Sequence, residues 1–240
     1  MSSPISELSQ LYGEAFFDRH VPWQQEYGAV ADILASSIPF SSSLDLGCGS
    51  AGLLARLHDL GKDVCGLDGS SAALAATPQT IRPFVRLQDL RKPIRLGPFD
   101  LVICTEVAEH LKPHYADRLI KSICVSSRGR VFFTAAVPGQ GGIGHLNEQP
   151  LGYWVQKFHA QGYQLDEALT LLLHRKLSAV TRRIWWLARN ATIFERMHGG
   201  RKDERHARRP EGKTRRFVRR EIASRQSPEV LGLAGEGSIG

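Results

Sequence analysis

The sequence predicts an α/β fold with a doubly wound, mostly parallel sheet. Short apolar runs alternate with longer amphipathic ones from Phe40 onward, at the spacing of strand–helix units. A glycine-rich turn follows the first apolar run directly. The chain has 240 residues, 42% of them hydrophobic and 23% charged, which is enough for one domain with a full core.

The elements follow from hydrophobic periodicity. Strands are predicted at residues 43–46, 62–67, 84–87, 99–104, 130–135 and 191–194. Helices are predicted at residues 51–60, 71–76, 114–124 and 151–161, and Gly162 is expected to cap the last of these. An amphipathic helix is expected over 171–186, where basic residues interrupt an apolar run. It is expected to pack on the sheet, although contact with a lipid-like acceptor or a membrane surface is an alternative.

Charge is unevenly distributed along the chain. The net charge is +7, and residues 201–226 alone hold eleven Lys or Arg against four Asp or Glu. The rest of the chain is therefore electrically balanced, and high basicity does not by itself indicate a nucleic-acid substrate. Residues after Arg196 are poor in apolar side chains, so a disordered basic tail is expected at 198–240. Weak contact with an anionic surface or nucleic acid through this tail is an open alternative.

Several protein classes are disfavoured by simple features. No uncharged apolar stretch of about 18 residues is present, so a membrane-spanning helix is not expected. The first residues lack the pattern of a secretory signal. The four cysteines are far apart, without the spacing of a zinc site, and indicate reduced thiols in a cytoplasmic protein.

The strongest local motif is LDLGCGSAG at residues 44–52. Glycines at a strand-to-helix turn let the backbone approach a ligand closely and adopt conformations that a Cβ would forbid. The glycines alone also fit a dinucleotide-binding loop of a dehydrogenase. The acidic residues around them distinguish the two ligands.

Carboxylates follow three successive predicted strands. Asp45 lies two residues before Gly47, where it would meet the cationic amino end of S-adenosylmethionine (SAM) but would repel a pyrophosphate. Asp68 ends the second strand at the distance where an acid holds ribose hydroxyls. Asp89 follows the third strand and could accept a hydrogen bond from adenine, with Leu90 against the ring. Three acids at neighbouring strand ends favour a cationic nucleoside.

These segments, with VCGLDGS, LQDL and FDLVICTEVAEHL in order over residues 40–112, resemble the class I SAM-dependent methyltransferase family. The resemblance implies a Rossmann-like, seven-stranded sheet with helices on both faces. Three regions are predicted: an N-terminal helical cap (1–39), a methyltransferase core (40–197) and the tail (198–240). The cofactor-binding residues that the resemblance implies are Asp45, Gly47, Cys48, Gly49, Asp68, Gly69, Asp89, Leu90, Thr105 and Glu106.

Two histidines are candidate general bases. His145 lies in a polar, glycine-rich segment that has no packing need for an imidazole, so it is the favoured one. His110 follows the fourth strand, and an alternative role for it is to bond backbone and orient the loop.

The same region suggests a metal site. Glu106, Glu109 and His110 are spaced i, i+3 and i+4, so they would share one side of a helical turn, and His145 could complete the set. The string is similar to the Glu-x-x-Glu-His loop of ubiquinone-pathway and small-RNA methyltransferases, which implies a divalent metal. Metal-free relatives have a similar string, so a metal is possible but not favoured.

Residues 138–163 resemble small bacterial methyltransferases of polysaccharide and natural-product pathways. That resemblance implies an acceptor site with Asn147, Gln149 and Trp154, although Trp154 and Phe158 also have the i, i+4 spacing of a helix core face. The predicted function is O-methylation of a small hydroxylated metabolite, glycan or lipid intermediate. An RNA methyltransferase that uses the basic tail and a non-catalytic SAM-binding protein are the alternatives.

Overall fold

The computed structural model of the chain describes residues 12–197. Seven strands form one sheet in the order β3-β2-β1-β4-β5-β7-β6. The strands are β1 (Ser42–Leu46), β2 (Asp63–Asp68), β3 (Val85–Leu87), β4 (Phe99–Thr105), β5 (Ser127–Thr134), β6 (Tyr163–Leu165) and β7 (Thr192–Arg196). The first five run parallel, and β7 pairs antiparallel with β5 and β6. The predicted doubly wound, mostly parallel sheet is confirmed.

Eight α-helices lie within residues 12–197. They are α1 (Glu14–His20), α2 (Gln24–Ser37), α3 (Gly52–Asp59), α4 (Ser71–Ala76), α5 (Ala116–Ser126), α6 (Leu151–His159), α7 (Glu167–Ser178) and α8 (Trp185–Asn190). A 3₁₀ turn, Val21–Trp23, joins α1 to α2, and another, Ala108–His110, follows β4. No helix in this part of the chain has the length and apolar character that a bilayer crossing needs.

Side chains of the central strands alternate between two apolar cores because successive residues point to opposite faces of the sheet. Val102 and Cys104 of β4 pack with α5 and α6 on one face. Leu101 and Ile103 pack on the other face with α2, α3, α7 and α8. Burial on both faces explains the near-continuous apolar runs of the parallel strands.

The predicted single helix over 171–186 is wrong. α7 ends at Ser178, and α8 begins only at Trp185. Between them the buried carboxylate of Glu26 accepts hydrogen bonds from the backbone N–H groups of Arg183 (3.0 and 3.1 Å to its two oxygens) and Ile184 (3.1 Å). Those two N–H groups therefore have hydrogen-bond partners without forming helix. The helical pattern is interrupted there, although the apolar periodicity of the sequence continues.

The predicted N-terminal cap separates into two structural roles. α1 and the turn after it contribute side chains to the cavity described below. α2 packs beside α3 in the helix layer through Val30, Ala31 and Leu34. The boundary at residue 39 stays a prediction, and the predicted tail at 198–240 lies outside the described residues. None of the four cysteines, all of which lie within residues 12–197, forms a disulfide bond.

Candidate active site

A cavity of about 540 Å³ opens at the carboxyl ends of β1, β2, β3 and β4. It lies where the strand order reverses, between β1 and β4, which is where open α/β sheets bind ligands. All ten residues predicted to bind the cofactor line it: Asp45, Gly47, Cys48, Gly49, Asp68, Gly69, Asp89, Leu90, Thr105 and Glu106. The three strand-end carboxylates therefore share one pocket.

The glycine loop needs a glycine at its first position. Gly47 has φ +87°, which L side chains rarely adopt, and a Cβ built there would collide with the side chain of Val107. Its N–H donates to the carbonyl of Leu67 over 2.7 Å, which holds the turn against the end of β2. The loop backbone thus reaches the cavity wall without a side chain in the way.

Asp45 is the most buried carboxylate at this end of the cavity. Leu44 and Leu46, on either side of it in β1, pack into the core that contains α5 and α6. The side chain of Asp45 therefore points to the opposite face of the sheet. The residue is 3% exposed, and no hydrogen-bond donor among the described residues reaches its Oδ1. Burial, with a smaller contribution from the charge of Asp68, raises its pKa to about 8. A buried acid without a partner is costly unless a ligand supplies a donor or a cation.

Asp68 is organised by backbone donors. The N–H of Gly49 donates to Oδ2 and that of Ser70 to Oδ1, each over 2.8 Å. Burial raises the pKa of Asp68, while these hydrogen bonds act in the opposite direction. The carboxylate is fixed at the end of β2 and keeps further lone pairs for ligand hydroxyls.

Asp89 has a partner that the sequence did not suggest. The guanidinium of Arg91 binds it in a bidentate manner: Nε donates to Oδ1 over 2.8 Å, and Nη2 donates to Oδ2 over 3.1 Å. Burial favours the neutral acid, but the hydrogen bonds and charge of Arg91 outweigh it and lower the pKa of Asp89. The side chain is thereby fixed at the cavity wall beside Leu90.

His145 lines the cavity and forms a dyad with Glu148. Nδ1 of His145 lies 2.8 Å from Oε1 of Glu148, whose two oxygens also accept the N–H groups of Gly139 and Gly141, each over 2.8 Å. The hydrogen bond from His145 and these donors lower the pKa of Glu148, so its ionised carboxylate can only accept. The proton of the neutral imidazole is then on Nδ1, and Nε2 is left as a base.

Space for the His145 ring depends on Gly142. A Cβ built on Gly142 would collide with the imidazole, and the residue has φ +157°. The glycines of this loop therefore position the dyad. The sequence indicated His145 by its surroundings but did not indicate Glu148 as its partner.

His110 lies next to His145, with the ring centroids 4.9 Å apart in an edge-on arrangement. Its Nδ1 is 2.8 Å from the hydroxyl of Tyr12 and 3.3 Å from the carbonyl of Gly144. The backbone carbonyl of Tyr12 also accepts from the Ser70 hydroxyl over 2.7 Å. Burial, and then the proximity of His145, lower the pKa of His110 to about 4. A neutral ring held by two polar neighbours matches the loop-orienting alternative.

The predicted helical turn carrying Glu106, Glu109 and His110 is wrong. Glu106 has φ +53°, because its N–H is held by the hydroxyl and carbonyl of Thr134 at 3.0 and 3.2 Å, and the 3₁₀ turn begins only at Ala108. Its carboxylate accepts from the amides of Gln140 and Asn190, each at 3.3 Å. Glu106 thus lies outside the group that a metal would need.

Glu109, His110 and His145 do come together. One ligand atom from each lies within 4.8 Å of the others. Oε1 of Glu109 accepts the Ala136 N–H, and no described donor reaches Oε2. Burial and the nearby charge of Glu106 raise the pKa of Glu109 well above its usual range. Two imidazoles and a carboxylate are a donor set that suits a divalent cation, so three of the four predicted ligands fit one.

The predicted acceptor residues lie behind the cavity wall. Trp154 is 2% exposed and packs on Phe133, 5.3 Å between ring centroids, so its assignment to the acceptor is corrected to the core. Asn147 is buried, and its N–H donates to the carbonyl of Glu109 over 2.9 Å. Gln149 donates to the side-chain oxygen of Asn147 over 3.0 Å. Neither of these amides lines the cavity.

Aromatic side chains that the sequence interpretation missed form the opposite wall. They come from the residues just before α1, from α1, the turn after it, α2 and α8, and are Tyr12, Phe16, Phe17, His20, Trp23, Tyr27, Trp185 and Trp186. Phe16 and His20 are 4.1 Å apart and His20 stacks on Trp23 at 4.2 Å, centroid to centroid. The available signal was the five aromatic residues in positions 12–27, against 8% aromatic residues in the chain. No Lys or Arg of the described residues lines the cavity.

The seven-stranded sheet order is that of the Rossmann-like fold of methyltransferases with solved structures. Residues 44–129 match the model of the family described as methyltransferase domain. Residues 44–129 of the chain therefore carry a methyltransferase domain.

Solved structures share the fold at low sequence identity. Magnesium protoporphyrin IX methyltransferase (ChlM) from Synechocystis PCC 6803 with bound SAM is 19% identical, with 81% of this chain and 90% of that chain covered and a TM-score of 0.53. The CcbJ methyltransferase from Streptomyces caelestis is 12% identical, with 72% and 90% covered and a TM-score of 0.56. Mitomycin 7-O-methyltransferase MmcR is 13% identical, with 69% and 56% covered and a TM-score of 0.53. No curated protein sequence matches the chain.

Proposed function

We propose that this methyltransferase methylates a hydroxyl group of a small, uncharged acceptor that has an apolar part. The observation that carries the proposal is the pairing of His145 with ionised Glu148 at a cavity that has one wall of aromatic side chains. A hydroxyl must lose its proton during methyl transfer, and a positioned imidazole is suited to receive it.

The strand-end half of the cavity fits the cofactor. The partnerless Oδ1 of Asp45 suits the ammonium group of SAM, and Asp68 keeps lone pairs for its ribose hydroxyls. Gly47 and Gly49 bring backbone to the same wall without side chains. SAM, when bound, supplies an electrophilic methyl group.

The chain's own residues would then align the acceptor and accept its proton. The acceptor hydroxyl would give its proton to Nε2 of His145, and its oxygen would then be ready to receive the methyl group that SAM would supply. Glu148 stabilises the imidazolium that results, and the proton leaves to solvent afterwards. Alignment of nucleophile, methyl and leaving group contributes roughly 7–11 kcal/mol in well-oriented reactions.

The charge of the cavity supports an uncharged acceptor. Asp45, Asp68, Asp89 and Glu106 line it, and no described Lys or Arg does. A phosphate or carboxylate beside the transferred methyl would lack a counter-ion and would be repelled. The aromatic wall instead suits the flat or apolar part of an acceptor. RNA, the alternative substrate, would depend on the basic tail.

The proposal is tested by incubating the full chain with methyl-labelled SAM and three host fractions. We expect label in the lipid-soluble or neutral metabolite fraction, and no change when residues 198–240 are removed. Label in RNA that disappears with the tail would replace the proposal with the RNA alternative. SAM binding by calorimetry without transfer to any fraction would favour a non-catalytic SAM-binding protein.

A divalent cation at Glu109, His110 and His145 would polarise an acceptor oxygen, and it is the second candidate mechanism for the same reaction. We expect activity to stay within about twofold after dialysis against EDTA, because the dyad already supplies a base. Loss of activity that Mg²⁺, Mn²⁺ or Zn²⁺ restores would assign the activation of the hydroxyl to the metal.

A further inference from the structure

We propose that the face around the cavity opening docks on an anionic lipid surface. We call this the mouth face and define its apolar part as Val21, Pro22, Trp185 and Ile143, and its basic part as Arg182, Arg183 and Arg189. Trp185 and Ile143 also line the cavity, so the mouth face is continuous with the site.

Most of the mouth face comes from two segments, residues 21–23 and residues 182–189, which we call its arms. They lie against each other although they are about 160 residues apart in sequence. Trp23 and Trp186 pack edge to face with ring centroids 5.4 Å apart, and Trp186 contacts Trp185 at 5.9 Å. The guanidinium of Arg183 donates to the carbonyl of Pro22 over 3.5 Å. Glu26 then fixes the arms by accepting the N–H groups of Arg183 and Ile184. The face is therefore one surface with a fixed shape.

Its apolar side chains are unusually exposed for a folded domain. Val21 is 63% exposed, Trp185 is 51% and Ile143 is 50%. Clustered exposed apolar groups next to a pocket mark an interaction surface rather than ordinary surface variation. Tryptophan in particular favours the interface between water and lipid, where its apolar ring and polar N–H are both accommodated.

The charge around these side chains selects an anionic surface. Residues 168–194 contain Arg175, Lys176, Arg182, Arg183 and Arg189 and no Asp or Glu. Arg182 and Arg189 are exposed and flank Trp185, the second of them one helical turn away on α8. The acids of the opposite arm, Glu14 and Asp18, are on α1 before Arg19. Basic residues beside Trp and aliphatic groups are the composition of segments that lie in an anionic lipid interface.

One consequence rests on the proposed function. An acceptor with a long apolar part would enter the cavity from the lipid through the opening that the mouth face surrounds. Its hydroxyl would reach His145 while the apolar part stayed between Trp23, Trp186 and the bilayer.

The test is sedimentation of the full chain with vesicles of phosphatidylcholine alone or with about one third phosphatidylglycerol. It is run at low salt and at about 0.5 M NaCl, where charge contacts of the tail are screened. We expect the unchanged chain to bind the anionic vesicles. At high salt, the double variant Val21→Ser/Trp185→Ser should bind them at least tenfold more weakly than the unchanged chain does. Arg182→Gln/Arg189→Gln is expected to weaken binding at low salt only.

The matched control is Val125→Ser, because Val125 is 50% exposed on α5, across the sheet from the mouth face. It should bind vesicles like the unchanged chain. Thermal unfolding and SAM affinity of each variant establish that it is folded. Equal vesicle binding by Val21→Ser/Trp185→Ser and the unchanged chain, or no binding by either, would overturn the proposal. Methyl transfer to a water-soluble acceptor is measured separately, so its absence would count against the proposed function and not against docking.

Discussion

Asp45→Asn is expected to weaken SAM binding by about 100-fold or more. Asp45 is 3% exposed, and no described donor reaches its Oδ1, so we propose that the ammonium group of SAM is its partner. Removing one member of a buried, hydrogen-bonded charge pair typically costs about 2–5 kcal/mol. Asparagine has nearly the same size as aspartate and keeps one hydrogen-bond acceptor, but it has no charge. The loss of SAM affinity therefore measures the contribution of the ion pair.

The same residue predicts a proton change on binding. Its pKa in the unliganded chain is raised to about 8, so the acid is mostly protonated at pH 7. A cation beside it favours the ionised form, so SAM binding at pH 7 should release about one proton. Calorimetry in two buffers of different ionisation enthalpy measures this release, and Asp45→Asn should abolish it.

The unliganded chain should become less stable as pH rises, because folding raises the pKa of Asp45. A carboxyl whose pKa is raised on folding contributes its stability fully below the unfolded pKa, and that contribution is lost as pH rises through about 8. Asp45→Asn should therefore lessen the fall in unfolding temperature between pH 5 and about pH 9. Asp117→Asn is the control, since Asp117 is exposed on α5. Unchanged SAM affinity in Asp45→Asn would contradict the assigned role.

His145→Ala is expected to lower kcat by about 10²- to 10⁴-fold, the range for loss of a general base. SAM affinity should stay the same, because we assign cofactor binding to Asp45, Asp68 and the glycine loop and not to the dyad. Glu148→Gln should cause a smaller loss, because the amide still holds the ring but no longer stabilises the imidazolium. The initial rate of label transfer to the acceptor, with SAM saturating, measures both.

His159→Ala is the matched control for His145→Ala, since His159 is exposed at the end of α6. It should have the activity of the unchanged chain. A wild-type rate in His145→Ala would remove the base from the mechanism. Retained activity in His145→Ala with loss in His110→Ala would move that role to the neighbouring ring.

Strand–helix order was predictable mainly because β2 and β4 are buried on both faces over most of their length and leave near-continuous apolar runs. β6 was missed because Tyr163–Leu165 is a three-residue edge strand, too short to show alternation. The interruption between α7 and α8 was missed because its cause, Glu26, is more than 150 residues away in sequence. A local pattern has no access to such a partner.

The difference between local features and partners that are distant in sequence also applies to the candidate site. The glycine loop and the acids are local features, each set by one strand and its following turn, so the sequence indicated them directly. The aromatic wall joins α1 to α8, and the partners of Asp89 and His145 depend on side-chain geometry. Trp154 was misassigned because an i, i+4 aromatic pair is compatible with both a core face and a ligand face.

Tyr12 links the two ends of the cavity, through its carbonyl to Ser70 and through its hydroxyl to His110. Ser70 also donates its N–H to Asp68, and His110 lies beside His145, so one residue connects the surroundings of an acid and of a candidate base. A substitution at Tyr12 would therefore disturb two parts of the cavity at once, although neither contact involves the loop that the other belongs to.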